Sequence, residues 1–167
     1  MRLNPRALVL PLLAACVVHA QLAPQDPDWK EVEAPPAPPV RTTGLIPLDI
    51  PTSSLHFGVD PASITLDRDG VVRYVVVATS DSGAVNALYE GIRCTTGDFK
   101  VYGRHSAGSG WTVVKDSAWR PLNDPPVSRH TMEIARTGAC IGQGTNGSAS
   151  QIARDLRAPV DRRFSNQ

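Results

Sequence analysis

The stretch 71–77, VVRYVVV, constrains the fold more than any other part of the chain. It is apolar at both odd and even positions, which is typical of a central strand covered on both faces of a sheet. The tetrapeptide DRDG at 67–70 precedes it, and Asp-Gly between β-branched runs predicts a tight turn. The sequence therefore predicts a hairpin in which residues 62–66 pair with residues 71–77.

Three later segments extend this sheet. Residues 85–94 and 99–104 alternate between apolar and polar side chains, and residues 111–114 form a short further strand. The pattern predicts an antiparallel meander of about five strands. Glu90 falls on the apolar face of its strand, where a carboxylate is costly unless it is paired or rotated outward by a bulge at Gly91.

One helix is expected after the sheet. Ser128 is placed to cap a helix over residues 129–137, and Val127 and Met132 would form a hydrophobic staple at its start. Gly138 would end this helix.

Cys94 and Cys140 are the two cysteines of the body, and an even pair in an oxidising compartment predicts a disulfide. Two unpaired buried thiols are the alternative, and a zinc pair is disfavoured because neither cysteine has a CxxC neighbour or a nearby histidine. The predicted fold class is α+β, an antiparallel meander of about five strands with one C-terminal helix pinned by the disulfide.

The first 20 residues have the layout of an export signal. Arg2 and Arg6 precede an apolar run over 7–18, which is shorter than the roughly 20 residues that a membrane span needs. Two cleavage rules compete, because VHA ending at Ala20 fits a general signal peptidase and LAAC ending at Cys16 fits a lipobox. We expect either a soluble periplasmic protein with signal 1–20, or a lipoprotein with signal 1–15 anchored in the outer membrane through Cys16.

The rest of the chain divides into three expected parts. Residues 21–44 are proline-rich and predict an extended polyproline II linker, with Trp29 docked on its own domain. Residues 45–142 form the α+β domain, and residues 143–167 are expected to be a flexible tail.

The charge balance argues against nucleic acid as a partner. The chain has 17 basic and 16 acidic side chains, and loss of Arg2 and Arg6 with the signal leaves 15 basic ones. A near-neutral protein lacks the basic surface that phosphate backbones require.

The motif YEGIRC at 89–94 resembles the CNP-like uncharacterised domain, a family of small exported bacterial proteins. Further features fit the same resemblance over about 28–140, namely Trp119-Arg120, Arg129-His130 and Cys140. Ile141 departs from the family, in which a proline often follows the second cysteine. The resemblance implies an exported single domain with a shared fold, and it implies no activity and no catalytic residues.

The candidate site residues are Glu90, Arg93, Arg120 and His130. The carboxylate and the two arginines predict either a buried ion pair or an arginine-lined pocket for a small anion. No two of the body's histidines have the spacing of metal ligands on one helix or strand, so structural or solvated roles are expected for all of them, namely His56, His105 and His130.

The function predicted from these observations is a non-enzymatic envelope module that binds an envelope protein or a glycan through its sheet face. The chain has no Gly-x-Ser-x-Gly elbow, no phosphate loop and no dinucleotide fingerprint, and we expect no metal or cofactor. The alternatives are a binder of a small anionic ligand, and a metal-dependent or hydrolytic enzyme that uses the histidines and Glu90. Membrane contact is expected only through a lipid on Cys16.

Overall fold

A computed structural model describes residues 26–124 and 129–158 of the chain. Its centre is an eight-stranded antiparallel sheet. The strands in chain order are β1 (Ile46–Leu48), β2 (Leu55–Val59), β3 (Thr65–Leu66), β4 (Val71–Ser80), β5 (Val85–Arg93), β6 (Asp98–Ser106), β7 (Gly110–Val113) and β8 (Arg120–Pro121). The order across the sheet is β1-β2-β4-β5-β6-β7, with β3 beside β4 and β8 beside β6. The expected meander β4-β5-β6-β7 is present, but the prediction of about five strands is too low.

The strands that the sequence pattern missed are short or interrupted. Pro47 lies in β1 and Gly58 in β2, and both residue types weaken a strand pattern. The predicted hairpin across the Asp-Gly turn is present, although only Thr65–Leu66 pairs with β4. The residues before that pair form a 3₁₀ turn, Pro61–Ser63, in which Asp60 accepts a hydrogen bond from the Ala62 amide at 3.0 Å.

The helical part follows the sheet and covers one of its faces. Helix α1 (Arg129–Ile134) continues into a π-helical turn (Ala135–Ala139), and the strands β9 (Cys140–Ile141) and β10 (Gly144–Thr145) form a small separate hairpin. Helix α2 (Ala149–Arg157) ends the described chain. No helix in the two described ranges is long and apolar enough to cross a membrane.

Helix α2 lies within residues 143–167, which were expected to be a flexible tail. Ile152 and Leu156 on this helix are buried in the main core, and the Ser148 hydroxyl accepts a hydrogen bond from the Gln151 amide at its start. Gly138 lets the two helical segments approach closely, since a Cβ at this position would lie 2.5 Å from Cγ of Leu156. Residues 159–167 of the expected tail lie outside the described residues, as do Ser128, Val127, Cys16 and both cleavage sites.

The predicted disulfide is confirmed. Cys94 directly follows β5 and bonds to Cys140 at the end of the π-helical turn, with their Cα atoms 5.6 Å apart. In the chain-entropy model, closing a loop of this length stabilises a fold by about 4 kcal/mol. The bridge therefore fastens the end of the α1 segment to the central strands, as expected.

Residues 26–45, which we call the strap, lie across the opposite face of the sheet. Trp29 docks on its own domain as predicted, since its indole N–H donates to the Asp69 carbonyl at 2.9 Å and the Arg93 guanidinium stacks 3.7 Å from its ring centroid. The Trp111 indole donates to the Pro38 carbonyl at 2.8 Å. The strap is extended, as the prolines predict, but it packs on the domain where the sequence analysis expected a linker.

Arg73 of β4 is the buried cation beneath the strap. Its guanidinium is fully buried and donates to Asp69 at 2.8 Å, to Asp67 at 2.9 Å and to the Val32 carbonyl at 2.8 Å. The Asp69 carboxylate is also fully buried and accepts from the Val32 amide. Burial alone would raise the pKa of Asp69, but the hydrogen bonds from Arg73 and from the Val32 and Val71 amides, together with the charge of Arg73, hold that pKa below its usual value.

Replacement of Arg73 should destabilise the whole domain. We expect Arg73→Met to lower the free energy of unfolding by about 3–5 kcal/mol, because Asp69 would keep a buried negative charge without its cationic partner. Urea unfolding followed by tryptophan fluorescence measures the change. Arg68→Met is the matched control in the same turn, and equal midpoints for the two variants would contradict the role given to Arg73.

Gly91 of β5 should tolerate no side chain. A Cβ at this position would lie 2.8 Å from the Tyr102 ring and 2.9 Å from Cγ1 of Val71. We expect Gly91→Ala to lower the free energy of unfolding by about 2 kcal/mol or more, because both neighbours sit in packed strands. Gly147→Ala, which would meet nothing within 4 Å, is the control and should unfold like the unaltered protein in urea.

Candidate ligand-binding cleft

An open cleft lies on the face of the sheet that carries α1. The cavity measures about 470 Å³, within the range of roughly 300–1,000 Å³ that is common for small-molecule sites. Its walls are the loop over residues 50–55 and the start of α1. Its floor is formed by side chains of three neighbouring strands, namely Phe57, Val76, Ala78, Asn86 and Leu88.

The strand register explains why these floor residues share one surface. Phe57 lies opposite Ala78, Ala78 lies opposite Asn86, and Val76 lies opposite Leu88. Residues that face each other across antiparallel strands point to the same side of a sheet. Val76 is buried, whereas Phe57 and Leu88 are only partly buried. The floor is therefore an apolar patch that α1 and α2 do not fully cover.

The inner end of the cleft is closed by a hydrogen-bonded pair, Glu90 and His130. His130 Nε2 lies 3.1 Å from both carboxylate oxygens of Glu90, and the side chains are 8% and 1% exposed. The hydroxyls of Tyr74 and Thr131 donate to the same carboxylate at 3.0 and 3.3 Å. A carboxylate on this face has to be paired or turned outward, and the structure shows Glu90 paired.

The strand pairing confirms that Glu90 stays inward. The register of β5 and β6 shifts between Tyr89 and Glu90, so that Tyr102 is the extra residue on β6. The irregularity therefore adds a residue to the neighbouring strand and leaves Glu90 on the core side. Phe57 stacks on the His130 ring, with centroids 5.0 Å apart, and links this pair to the cleft floor.

Two pKa values in this network are displaced. Burial alone would lower the pKa of His130, but the negative charge of Glu90 and its hydrogen bond outweigh burial and raise that pKa above 6.5. Burial and the same carboxylate raise the pKa of Tyr74 well above its usual value. The phenol of Tyr74 therefore stays protonated as a donor, and His130 is more cationic than an ordinary histidine.

Arg129 stands at the rim of the cleft next to His130. Its Nη1 donates to the Thr52 hydroxyl at 2.6 Å and to the Pro51 carbonyl at 3.4 Å, and both acceptors are neutral. Thr52 has a backbone φ of +63°, which is rare for a β-branched residue. This conformation belongs to the loop that forms the cleft wall.

The other sequence-predicted site residues lie elsewhere. Arg93 stacks on Trp29 beneath the strap, and Arg120 pairs with Asp124 at the surface. The structure thus brings together Glu90 and His130 from the predicted set, and it places neither arginine with them. His56 is exposed beside Asp81, and His105 packs edge-on against Trp111.

Sequence reasoning missed most of the cleft. Arg129 was noted only as part of a motif, and Thr52 and the floor residues were not singled out. The loop over 50–55 carries no local signal, because its role comes from contact with α1 far along the chain. In the two described ranges, no group of three or more histidine, cysteine, aspartate or glutamate side chains is arranged to hold a metal ion.

A family model, that of the CNP1-like family, matches residues 24–157. The chain belongs to the CNP1-like family. The match runs from just before the strap to the last residue of α2, so it includes most of the expected linker and most of the expected tail. Searches of the curated proteins and of the solved structures find no match.

The stabilising effect of the His130–Glu90 pair should depend on pH. Because the folded pKa of His130 is raised, its contribution is full below the unfolded value of about 6.5 and is lost as pH rises through the folded value. We expect the stability difference between the unaltered protein and His130→Gln to shrink as pH increases from 5.5 to 9. Urea unfolding at several pH values measures it.

His56→Gln is the control for this experiment, because His56 is exposed. A stability difference for His130→Gln that grows with pH would contradict the prediction. So would a proton NMR titration in which the His130 ring titrates below 6.5.

Proposed function

We propose that this protein is an exported, non-enzymatic binding module that takes a small, largely apolar ligand in the cleft. The observation that carries the proposal is the uncovered floor. Aliphatic and aromatic side chains from three strands line a cavity of about 470 Å³ beside fixed polar groups at its end. Apolar pockets with a few oriented polar groups are the usual form of ligand sites.

The cleft is a better candidate than the sheet faces as a whole. The strap covers much of one face with Ala34, Ala37 and Val40, and the helices pack on the other. A partner that docks through the sheet would have to displace these segments. A ligand can reach the floor of the cleft without displacing the strap or the helices.

No observation favours an enzyme over a binder. His130 is the histidine that lines the cleft, and its Nε2 is committed to Glu90. Glu90 is itself held by two hydroxyl donors and is sealed from the cavity. Three donors hold this buried carboxylate, and it does not line the cavity.

Export is the second part of the proposal. Disulfides persist in oxidising compartments, so the Cys94–Cys140 bridge supports a location outside the cytoplasm. The charged and apolar layout of residues 1–20 supports the same location.

A native intact mass of protein purified from its own cell envelope tests both parts. We expect a chain that starts at a lipidated Cys16 or at Gln21, together with an extra mass that disappears on denaturation. Ala78→Phe should remove the extra mass, because the phenyl group would fill the cleft from its floor. Ala107→Phe, at an exposed turn, should retain it.

Two results would overturn the proposal. A chain that still carries Met1 would contradict export. A bare polypeptide mass, combined with no difference between Ala78→Phe and the unaltered protein in binding the apolar dye N-phenyl-1-naphthylamine, would contradict binding in the cleft.

A further inference from the structure

We propose that the ligand of the cleft is an acyl-chain carboxylate of medium length, with its head group on Arg129 and its chain along the floor. This inference rests on the proposed binding function and adds the chemical class of the ligand. It comes from the charges around the cleft, the free donors of Arg129 and the shape of the floor.

The charges favour an anion. The described residues that line the cleft include two basic side chains, Arg129 and His130, and no carboxylate. The nearest acid of the network, Glu90, lies behind His130 and is 1% exposed. An anionic head group at this end of the cavity would therefore meet positive charge without facing an exposed negative one.

Arg129 has unused hydrogen-bond donors. Its hydrogen-bond partners among the described residues, Thr52 and Pro51, both accept from Nη1, and no described carboxylate lies within ion-pair distance of it. A guanidinium has five N–H donors, so Nη2 and Nε remain for a ligand. Their planar geometry matches the two oxygens of a carboxylate.

The charged residues differ on the two sides of Arg129. A second cavity of about 380 Å³ lies on the other side of Arg129, and the acids Asp49 and Glu133 line it together with Arg136. These two acids balance Arg129 and Arg136, so an anion would meet no net positive charge there. The cleft side, with the hydroxyls of Ser53 and Ser54 next to Thr52, offers neutral donors for a carboxylate.

The floor suits an unbranched chain. It crosses β2, β4 and β5, and neighbouring strands lie about 4.8 Å apart, so the apolar surface is about 10 Å wide. Leu88, Val76 and Phe57 supply this surface. The far side ends at the neutral Asn86, which leaves the Arg129 end as the place for a charge.

Titration calorimetry with three probes of equal chain length tests the inference on the full mature protein. The probes are octanoate, octanol and octyltrimethylammonium. We expect octanoate to bind at least tenfold more tightly than octanol, and the cation to bind most weakly, because hydrogen bonds to charged groups are the stronger ones. Each methylene added from hexanoate to octanoate should tighten binding about three- to fourfold.

Variants separate the head-group contact from the floor. Arg129→Gln should weaken octanoate binding to the level of octanol and leave octanol unchanged. Arg154→Gln is the matched control, since Arg154 is an exposed arginine of α2. Ala78→Phe should weaken both probes. Arg129 is itself exposed, so thermal melting of Arg129→Gln should match that of the unaltered protein.

The outcomes distinguish the two proposals. Equal affinities for the three probes, all lost in Ala78→Phe, would overturn the carboxylate ligand and leave the binding function standing. Octanoate binding that survives Ala78→Phe would place the anion outside the cleft and overturn the inference. No binding of any probe would overturn both.

Discussion

The buried guanidinium of Arg73 is the contact on which the rest of the fold depends. It joins the Asp-Gly turn to the strap, because Asp69 accepts from both Arg73 and the Val32 amide. A second ion pair, Lys100 with Glu31 at 2.8 Å, continues this attachment across β6. Burial would raise the pKa of Glu31, but the hydrogen bonds from Lys100 and Tyr102 hold it below its usual value. Ion pairs that are mutually hydrogen-bonded hold their segments in place because breaking one leaves a buried charge.

Different segments cover the two sides of the sheet. The strap buries Arg73 on one side and leaves a cavity of about 590 Å³ along residues 33–37, whereas α1 and α2 leave part of the opposite side open. The start of α1 is held by Glu90 through His130, and the end of its segment is held by Cys94 through Cys140. Glu90 and Cys94 are four residues apart, about 13 Å in a strand, and His130 and Cys140 are ten residues apart, about 15 Å in a helix. Because the two spans are similar, both contacts can attach the α1 segment to β5 and the residue that follows it. This arrangement fixes Arg129 at the rim of the cleft.

Local sequence patterns predicted the features that depend on residues close together in the chain. The central strand, the Asp-Gly hairpin and the disulfide follow from the apolar pattern, the turn residues and the cysteine count, and the structure has all three. Alternation placed Glu90 on the apolar face but left open whether a bulge turns it outward, and the structure keeps it inward and paired. The partner of Glu90 could not be read from the chain, because His130 reaches it only through tertiary packing 40 residues away. The packing of the strap on the domain was not predicted, because prolines indicate an extended backbone but do not indicate what the segment contacts. Helix α2 was missed although Ser148 and Gln151 have the spacing of a capping box, because the glycines before it suggested disorder.

Glu90 is a buried carboxylate on the apolar face of β5. A buried charge network adds little net stability compared with a well-packed apolar one. Its effect here is on position, because Tyr74, Thr131 and His130 all converge on one carboxylate and thereby fix the orientation of the His130 ring. Phe57 stacks on that ring and forms part of the cleft floor. An apolar residue at 90 could fill the same space, but it would leave the imidazole unanchored and the end of the cleft without a defined shape or charge.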